Sequence, residues 1–196
     1  MRSGKRRLLL YIPVLLWMGV IFMFSADNGS VSSMHSGRVS YMVASAVDTV
    51  LRLNMSDIEK SGFSKGLSFI VRKTAHFSEY FILGLLLYVV ISVNYGRSLD
   101  YMDEDRSFLR IIRLRYFLPV IIVFGYAGTD ELHQYFVPDR CSSFRDVLID
   151  TAGGLAAILI ISLIRYIRRR AAYNKANTSA RRMDNENMQS EGKAGH

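Results

Sequence analysis

Arg72-Lys73-Thr74-Ala75-His76-Phe77-Ser78-Glu79-Tyr80 runs without a break into Phe81-Ile82-Leu83-Gly84-Leu85-Leu86-Leu87-Tyr88-Val89-Val90-Ile91-Ser92-Val93. The second stretch carries no charge and is long enough, with the residues before it, to approach a bilayer crossing. The first sets Arg72, His76, Glu79 and Tyr80 at i, i+4, i+7 and i+8, which is one face of a helix. Ionisable groups at the end of an apolar span are costly, so such a face marks a functional site by default.

Three more apolar runs follow the same pattern: residues 8–24, 116–136 and 147–166. In lipid every backbone polar group must be satisfied internally, which makes these segments helices. The expected fold is all-α, an integral membrane four-helix bundle with spans at about 8–25, 74–94, 116–136 and 147–166. The first run competes with a signal peptide. Its length, and Phe24 where a cleavage site wants a small residue, favour an uncleaved span.

Composition agrees. The 196 residues are 50% hydrophobic, and the mean hydropathy is +0.15. The net charge of +8 is spread around the apolar runs and forms no single patch, which argues against a nucleic-acid partner. Arg2, Lys5, Arg6 and Arg7 precede the first run. Arg97, Arg106, Arg110, Arg113 and Arg115 lie between the second and third, and Arg165, Arg168, Arg169 and Arg170 follow the fourth. Only Arg140 and Arg145 lie in the short loop between the third and fourth. The positive-inside rule then puts both termini of a multi-pass cell-membrane protein in the cytoplasm. The polar clusters fall on the outer face. Cys141 is the only cysteine, so neither an intramolecular disulfide nor a thiolate zinc site can form.

Between the first two spans, Val39, Met42, Val43, Ala46, Val47, Val50 and Leu51 repeat with helical spacing. This predicts an amphipathic helix on the outer membrane surface or packed over the bundle. Residues 171–196 have almost no large apolar side chains and read as a disordered basic cytoplasmic tail, leaving 1–170 as the membrane domain.

Further clusters join the first on the outer side. Asp130, His133 and Gln134 share a face, as do Asp146, Asp150 and Gly153 or Gly154, and Ser25-Ala26-Asp27 closes the first span. Glu131 stands about 100° from Asp130, so only one of these acids points squarely inward. Glycines 125, 128, 153 and 154 offer small surfaces for close helix packing. Three readings compete. In the first, the charges form an ion network that locks the bundle, and Ser143-x-x-Asp146 is a capping box. In the second, Arg72, Lys73, Arg140 and Arg145 hold a phosphate or carboxylate, and the acids and histidines order them. Ligands on that surface would be lipid head groups, cell-wall precursors or compounds that bind them. In the third, His76, Glu79, Asp130 or His133 catalyse, by acid–base chemistry or with a metal that activates water. Spacing alone assigns no metal ligand, names no cofactor and leaves open whether the protein is an enzyme.

At these motifs the chain resembles the VanZ-like membrane family. The resemblance rests on Phe24-Ser25, on Arg72-Lys73-x-Ala75-His76-Phe77-x-Glu79-Tyr80-x-x-Leu83-Gly84, and on Thr129-Asp130-Glu131-x-His133-Gln134-x-Phe136-x-Pro138-x-Arg140. It continues through Ser143-x-x-Asp146-Val147-x-x-Asp150-x-x-Gly153. Position 150 is often Asn in the family pattern and is Asp here. The resemblance implies a cell-envelope role, which in the founding type is low-level resistance to the lipoglycopeptide teicoplanin. It offers no agreed catalytic residue, so the expected ligand site at Arg72, Lys73, His76, Glu79, Tyr80, Asp130, Glu131, His133, Gln134, Arg140, Arg145, Asp146 and Asp150 rests on the matched motifs together with the convergence of the clusters on one side.

Overall fold

Prolines and short polar caps decide where the helices of this protein begin. A computed structural model describes residues 8–99, 113–140 and 142–194. Among these residues all regular structure is helical: α1 (Ile12–Ala26), α2 (Gly29–Leu51), α3 (Asp57–Leu99), a π-helical turn (Arg113–Phe117), α4 (Leu118–Gln134) and α5 (Phe144–Ala194). Pro13 and Pro119 lie in the first turns of α1 and α4, where the missing N–H removes no helical bond. The Asn28 side chain caps α2 by accepting from the Val31 amide at 2.9 Å. Asp27 is extended, and α2 leaves α1 at 103°.

A tight turn joins α2 to α3. Arg52 and Asn54 take left-handed conformations, with φ of 51° and 52°. The Asp48 carboxylate accepts from the Met55 amide at 2.9 Å and pairs with Lys60 at 2.9 Å. Ser56 and Glu59 then cap α3 reciprocally, the Ser56 amide donating to Glu59 at 2.8 Å and the Glu59 amide to Ser56 Oγ at 3.3 Å.

Three elements differ from expectation. First, α3 begins at Asp57, well before the predicted start of the second span near residue 74. Residues 57–73 mix charge with scattered apolar side chains, which masks the helix, although Ser56-Asp57-Ile58-Glu59 has the spacing of a capping box. Second, the outer helix starts at Gly29 and packs on α3 through Ser36, Ser40 and Ala44. The Ser36 and Ser40 hydroxyls bond back to Ser32 and Ser36 carbonyls at 3.0 and 2.7 Å, so this small polar face is satisfied within the helix. The apolar stripe points outward, with Met42 70% and Val50 78% exposed. Third, α5 stays helical to Ala194 where a disordered tail was predicted. Ala, Arg, Lys, Gln, Glu and Met are strong helix formers, so this stretch carries helix propensity without an apolar stripe. The chain divides into two compact units, residues 1–158 and 159–196, the second being the remainder of α5.

By length and composition α3 over Asp57–Asn94 and α5 over Phe144–Ser179 can each cross a membrane, and the bent pair α1–α2 passes the same test together. With 43 residues, α3 is about 65 Å long, roughly twice a hydrocarbon core. Its first half packs on α2 and its second half enters the bundle.

That bundle core joins Val14 and Ile21 of α1, Tyr80, Leu83, Leu87 and Val90 of α3, Val123 and Ala127 of α4, and Val147 of α5. A small-residue seam lets the backbones approach. A Cβ on Gly84 would sit 2.8 Å from the Gly154 backbone, and one on Gly154 would sit 2.8 Å from Val123 Cγ1. A Cβ on Gly153 would overlap the Phe77 carbonyl. Gly125 and Gly128 have open space beside them and take no part in the seam.

Arg140 ties the ends of α1 and α4 together. Its Nε donates to the Asp27 carbonyl at 3.0 Å, Nη2 to the Phe24 carbonyl at 3.1 Å, and Nη1 approaches Gln134 Oε1 at 3.4 Å. Phe24 O is among the last carbonyls of α1, which have no partner within the helix.

Two outcomes follow for stability in detergent. Gly84→Val should destabilise by about 1–3 kcal/mol through overpacking, while Gly125→Ala should be neutral or slightly stabilising. Arg140→Met, which leaves the α1 carbonyls unpaired, should cost about 1–3 kcal/mol, and Arg140→Lys less, because its ammonium still donates although it cannot reproduce the fork. Thermal unfolding of the purified variants reads both, and equal melting of Arg140→Met and wild type would remove the clamp.

Candidate functional site

The packing seam that buries the glycines also buries acids. Asp150 lies on the α5 face that carries Val147, Gly153 and Gly154, at i−3, i+3 and i+4. Asp130 lies on the α4 face of Val123, Ala127 and Gln134. His76 precedes Tyr80, Leu83 and Leu87 on α3. Close approach of these faces puts one ligand-type atom of each of His76, Asp130 and Asp150 within 4.8 Å of the others. Asp150 is fully buried and Asp130 is 3% exposed.

This inner group is short of donors. His76 Nδ1 stands 3.9 Å from Asp150 Oδ1, beyond hydrogen-bond reach. Gln134 Nε2 donates to Asp130 Oδ2 at 3.1 Å and to Ser25 Oγ at 3.0 Å. Asp130 Oδ1, both Asp150 oxygens, His76 Nδ1 and the Tyr80 hydroxyl have no hydrogen-bond partner among the described residues. The Tyr80 ring faces Tyr126 at 6.1 Å, and its hydroxyl lies beside the two aspartates.

Outside this group the walls are basic. A cavity of about 410 Å³ is lined by Arg72, Lys73, His76, Arg140, Arg145 and Asp146, among others. A second, of about 270 Å³, shares Arg72, His76 and Arg140 with it and is also lined by Phe24, Ser36 and Glu79. Arg72 Nη2 donates to Ser33 Oγ at 2.8 Å, while its Nε is buried without a partner among the described residues. Lys73 pairs with Asp146. The Arg145 side chain is exposed at the rim. Burial, with Arg72 alongside, lowers the Arg140 pKa from its usual value, and Asp130, Asp27 and Glu131 push it back. A guanidinium keeps its charge throughout the physiological range.

The sequence-predicted residues therefore sort into three groups. His76, Tyr80, Asp130, Gln134 and Asp150 form the inner cluster, and Arg72, Lys73, Arg140, Arg145 and Asp146 line the larger cavity. Glu79 lines the smaller one. Glu131 and His133 turn elsewhere. Glu131 accepts from the Ser143 amide at 2.8 Å and so holds the loop that starts α5. His133 packs its ring 4.5 Å from Phe22. Three residues along a helix is about 300°, or 60° short of a full turn, so His133 stays on the same side of α4 as Asp130 while its ring lies against α1.

Trp17, Tyr126 and Ser33, which no sequence motif singles out, help to hold this arrangement. Trp17 Nε1 donates to the Glu79 carbonyl at 2.8 Å, and the Tyr126 hydroxyl to the Met18 carbonyl at 2.6 Å. A Trp or Tyr polar atom inside an apolar helix must find a partner, and that was the available signal. Ser33 had none.

The family model described as VanZ/LLP1 matches residues 10–165. No curated protein and no solved structure matches the chain. The matched stretch contains the inner cluster, the basic cavity and the glycine seam, and its apolar helices suit a bilayer. The chain belongs to the VanZ/LLP1 family of membrane proteins.

Proposed function

We propose that this protein is a four-span envelope protein whose cleft opens to the outer face of the cell membrane and binds an anionic head group. The observation that carries the reading is the cavity of about 410 Å³ walled by Arg72, Lys73, Arg140 and Arg145. Arginine forks match phosphate and carboxylate geometry. Arg140 is spent on backbone carbonyls and contributes field and shape. Arg72, through its unpartnered Nε, and Arg145, at the rim, supply the contacts. Asp146 orders Lys73. The ligand is lipid-linked or a lipopeptide: a lipid head group, a cell-wall precursor, or a lipoglycopeptide such as teicoplanin. Capture of such a molecule at the membrane surface would reduce glycopeptide action, in line with the family's founding type.

The basic segments before α1 and after the apolar part of α5 support cytoplasmic termini. Cys141, in the short loop before α5, should then react with an impermeant thiol reagent on intact cells, and protection until lysis would invert the topology.

For the ligand, binding of short-chain phosphatidic acid to detergent-solubilised protein should exceed that of short-chain phosphatidylcholine. Arg145→Lys should weaken the anionic lipid by about tenfold, equivalent to about 1.4 kcal/mol. Unchanged affinity in Arg145→Lys and in Arg72→Lys would remove the anion site. In a sensitive Gram-positive host, wild type should raise teicoplanin tolerance over vancomycin tolerance, and Glu79→Gln at matched membrane levels should lose that protection.

A further inference from the structure

We propose that His76, Asp130 and Asp150 bind a divalent transition-metal cation between α3, α4 and α5. Three donors from three helices converge, each able to offer one atom, all mutually within 4.8 Å. Two ligands on a tetrahedral ion at ~2.1 Å lie about 3.4 Å apart, so small side-chain rotations bring this set to bonding geometry.

The second observation is independent of that spacing. Asp150 is completely buried, and neither of its oxygens has a hydrogen-bond partner among the described residues. Asp130 Oδ1 and His76 Nδ1 are in the same condition. Buried polar groups are ordinarily hydrogen-bonded, and buried charges are paired or bind metal. The nearby cations serve other partners: Arg140 binds the α1 carbonyls, Arg72 reaches Ser33 and Lys73 pairs with Asp146. A divalent cation would satisfy several of these acceptors at once and offset both carboxylate charges.

The donor set narrows the ion. Calcium takes six to eight oxygens, and magnesium keeps several waters and prefers phosphates and carboxylates. One imidazole with two carboxylates suits Zn²⁺ or Mn²⁺. Three protein ligands leave coordination positions open to water or to an outside oxygen. His76 lines both cavities, so those positions face the basic cleft. Gln134, bonded to Asp130 and Ser25, orients one carboxylate as supporting partners of metal ligands do.

The test uses the full chain in detergent, stripped with chelator, then dialysed against Zn²⁺ and assayed for metal by mass spectrometry. Wild type should retain stoichiometric zinc and melt at a higher temperature with it. Asp150→Asn and His76→Gln should each bind zinc at least about tenfold more weakly, and Asp57→Asn, on the exposed start of α3, should bind as wild type does. Without metal, Asp150→Asn should be at least as stable as wild type, because it removes a buried charge and adds a donor. Should a variant fail to fold, Co²⁺ added to wild type gives the answer through a ligand-field absorption band free of thiolate character. Absence of zinc and of any cobalt band in wild type would overturn the site. So would full zinc retention in the folded His76→Gln, Asp150→Asn double variant. The head-group reading is tested separately, because Arg145→Lys should weaken lipid binding and leave the metal in place.

Discussion

One guanidinium makes the cleft possible. Arg140 follows a left-handed Asp139, with φ of 57°, which turns the chain after α4 back toward α1. Two donors close carbonyls at the end of α1, and a third approaches Gln134. Gln134 in turn bonds Ser25 and Asp130. The Gly29 amide meets the Pro138 carbonyl at 3.2 Å, and Gly29 has no room for a Cβ beside Asp139. The bend between α1 and α2, the end of α4 and the inner carboxylate are thus one hydrogen-bonded unit. An ammonium radiates its donors from a single nitrogen, whereas the planar fork spreads them over three nitrogens in fixed directions and so reaches acceptors that lie apart.

With that joint in place, the charges separate by depth. Arg72, Lys73 and Arg145 line the open cavity. Asp130 and Asp150 lie behind His76 in the helix seam. An ion network built for rigidity would pair these signs directly, because removing either partner of a buried pair leaves an uncompensated charge. Among the described residues the cation–acid pair at the cleft is Lys73 with Asp146, and the inner acids are left to one another, to Gln134, to Tyr80 and to His76. Rigidity is supplied instead by apolar packing, the glycine contacts and the bonds of Trp17 and Tyr126. The polar interior is thereby free to meet something that enters.

Much of this was legible because helical spacing is local. The 3.6 period placed His76 and Tyr80, or Asp130 and Gln134, on shared faces before any contact was known, and lipid allowed only helices. The length of α3 was hidden for the same reason: residues 57–73 carry no continuous apolar stripe, and their helix is stabilised by the α2 pairing and the Ser56–Glu59 cap. By spacing alone the apolar stripe of α2 faces either the membrane surface or the bundle; it is exposed, and Ser36, Ser40 and Ala44 are the buried side, because a hydrophobic stripe says which side avoids water and not which side meets a neighbouring helix. Of the His–acid pairs that spacing offered, His76 joined acids from other helices and His133 did not. Spacing within one helix is blind to what the neighbouring helix brings.

Position 150 shows what the surroundings ask of a side chain. The family pattern often carries Asn there, and this chain carries Asp. An amide brings its own N–H donors, which can turn to Asp130 Oδ1 or to an imidazole nitrogen and close the network from within. A carboxylate brings only acceptors to a place already rich in them. The two residues have nearly the same shape, so packing does not separate them. The difference is electrostatic: with Asn the seam holds one carboxylate and an added donor, whereas with Asp it holds two carboxylates served by the Gln134 amide and the neighbouring Tyr80 hydroxyl. A bound cation resolves the second arrangement and is unnecessary in the first.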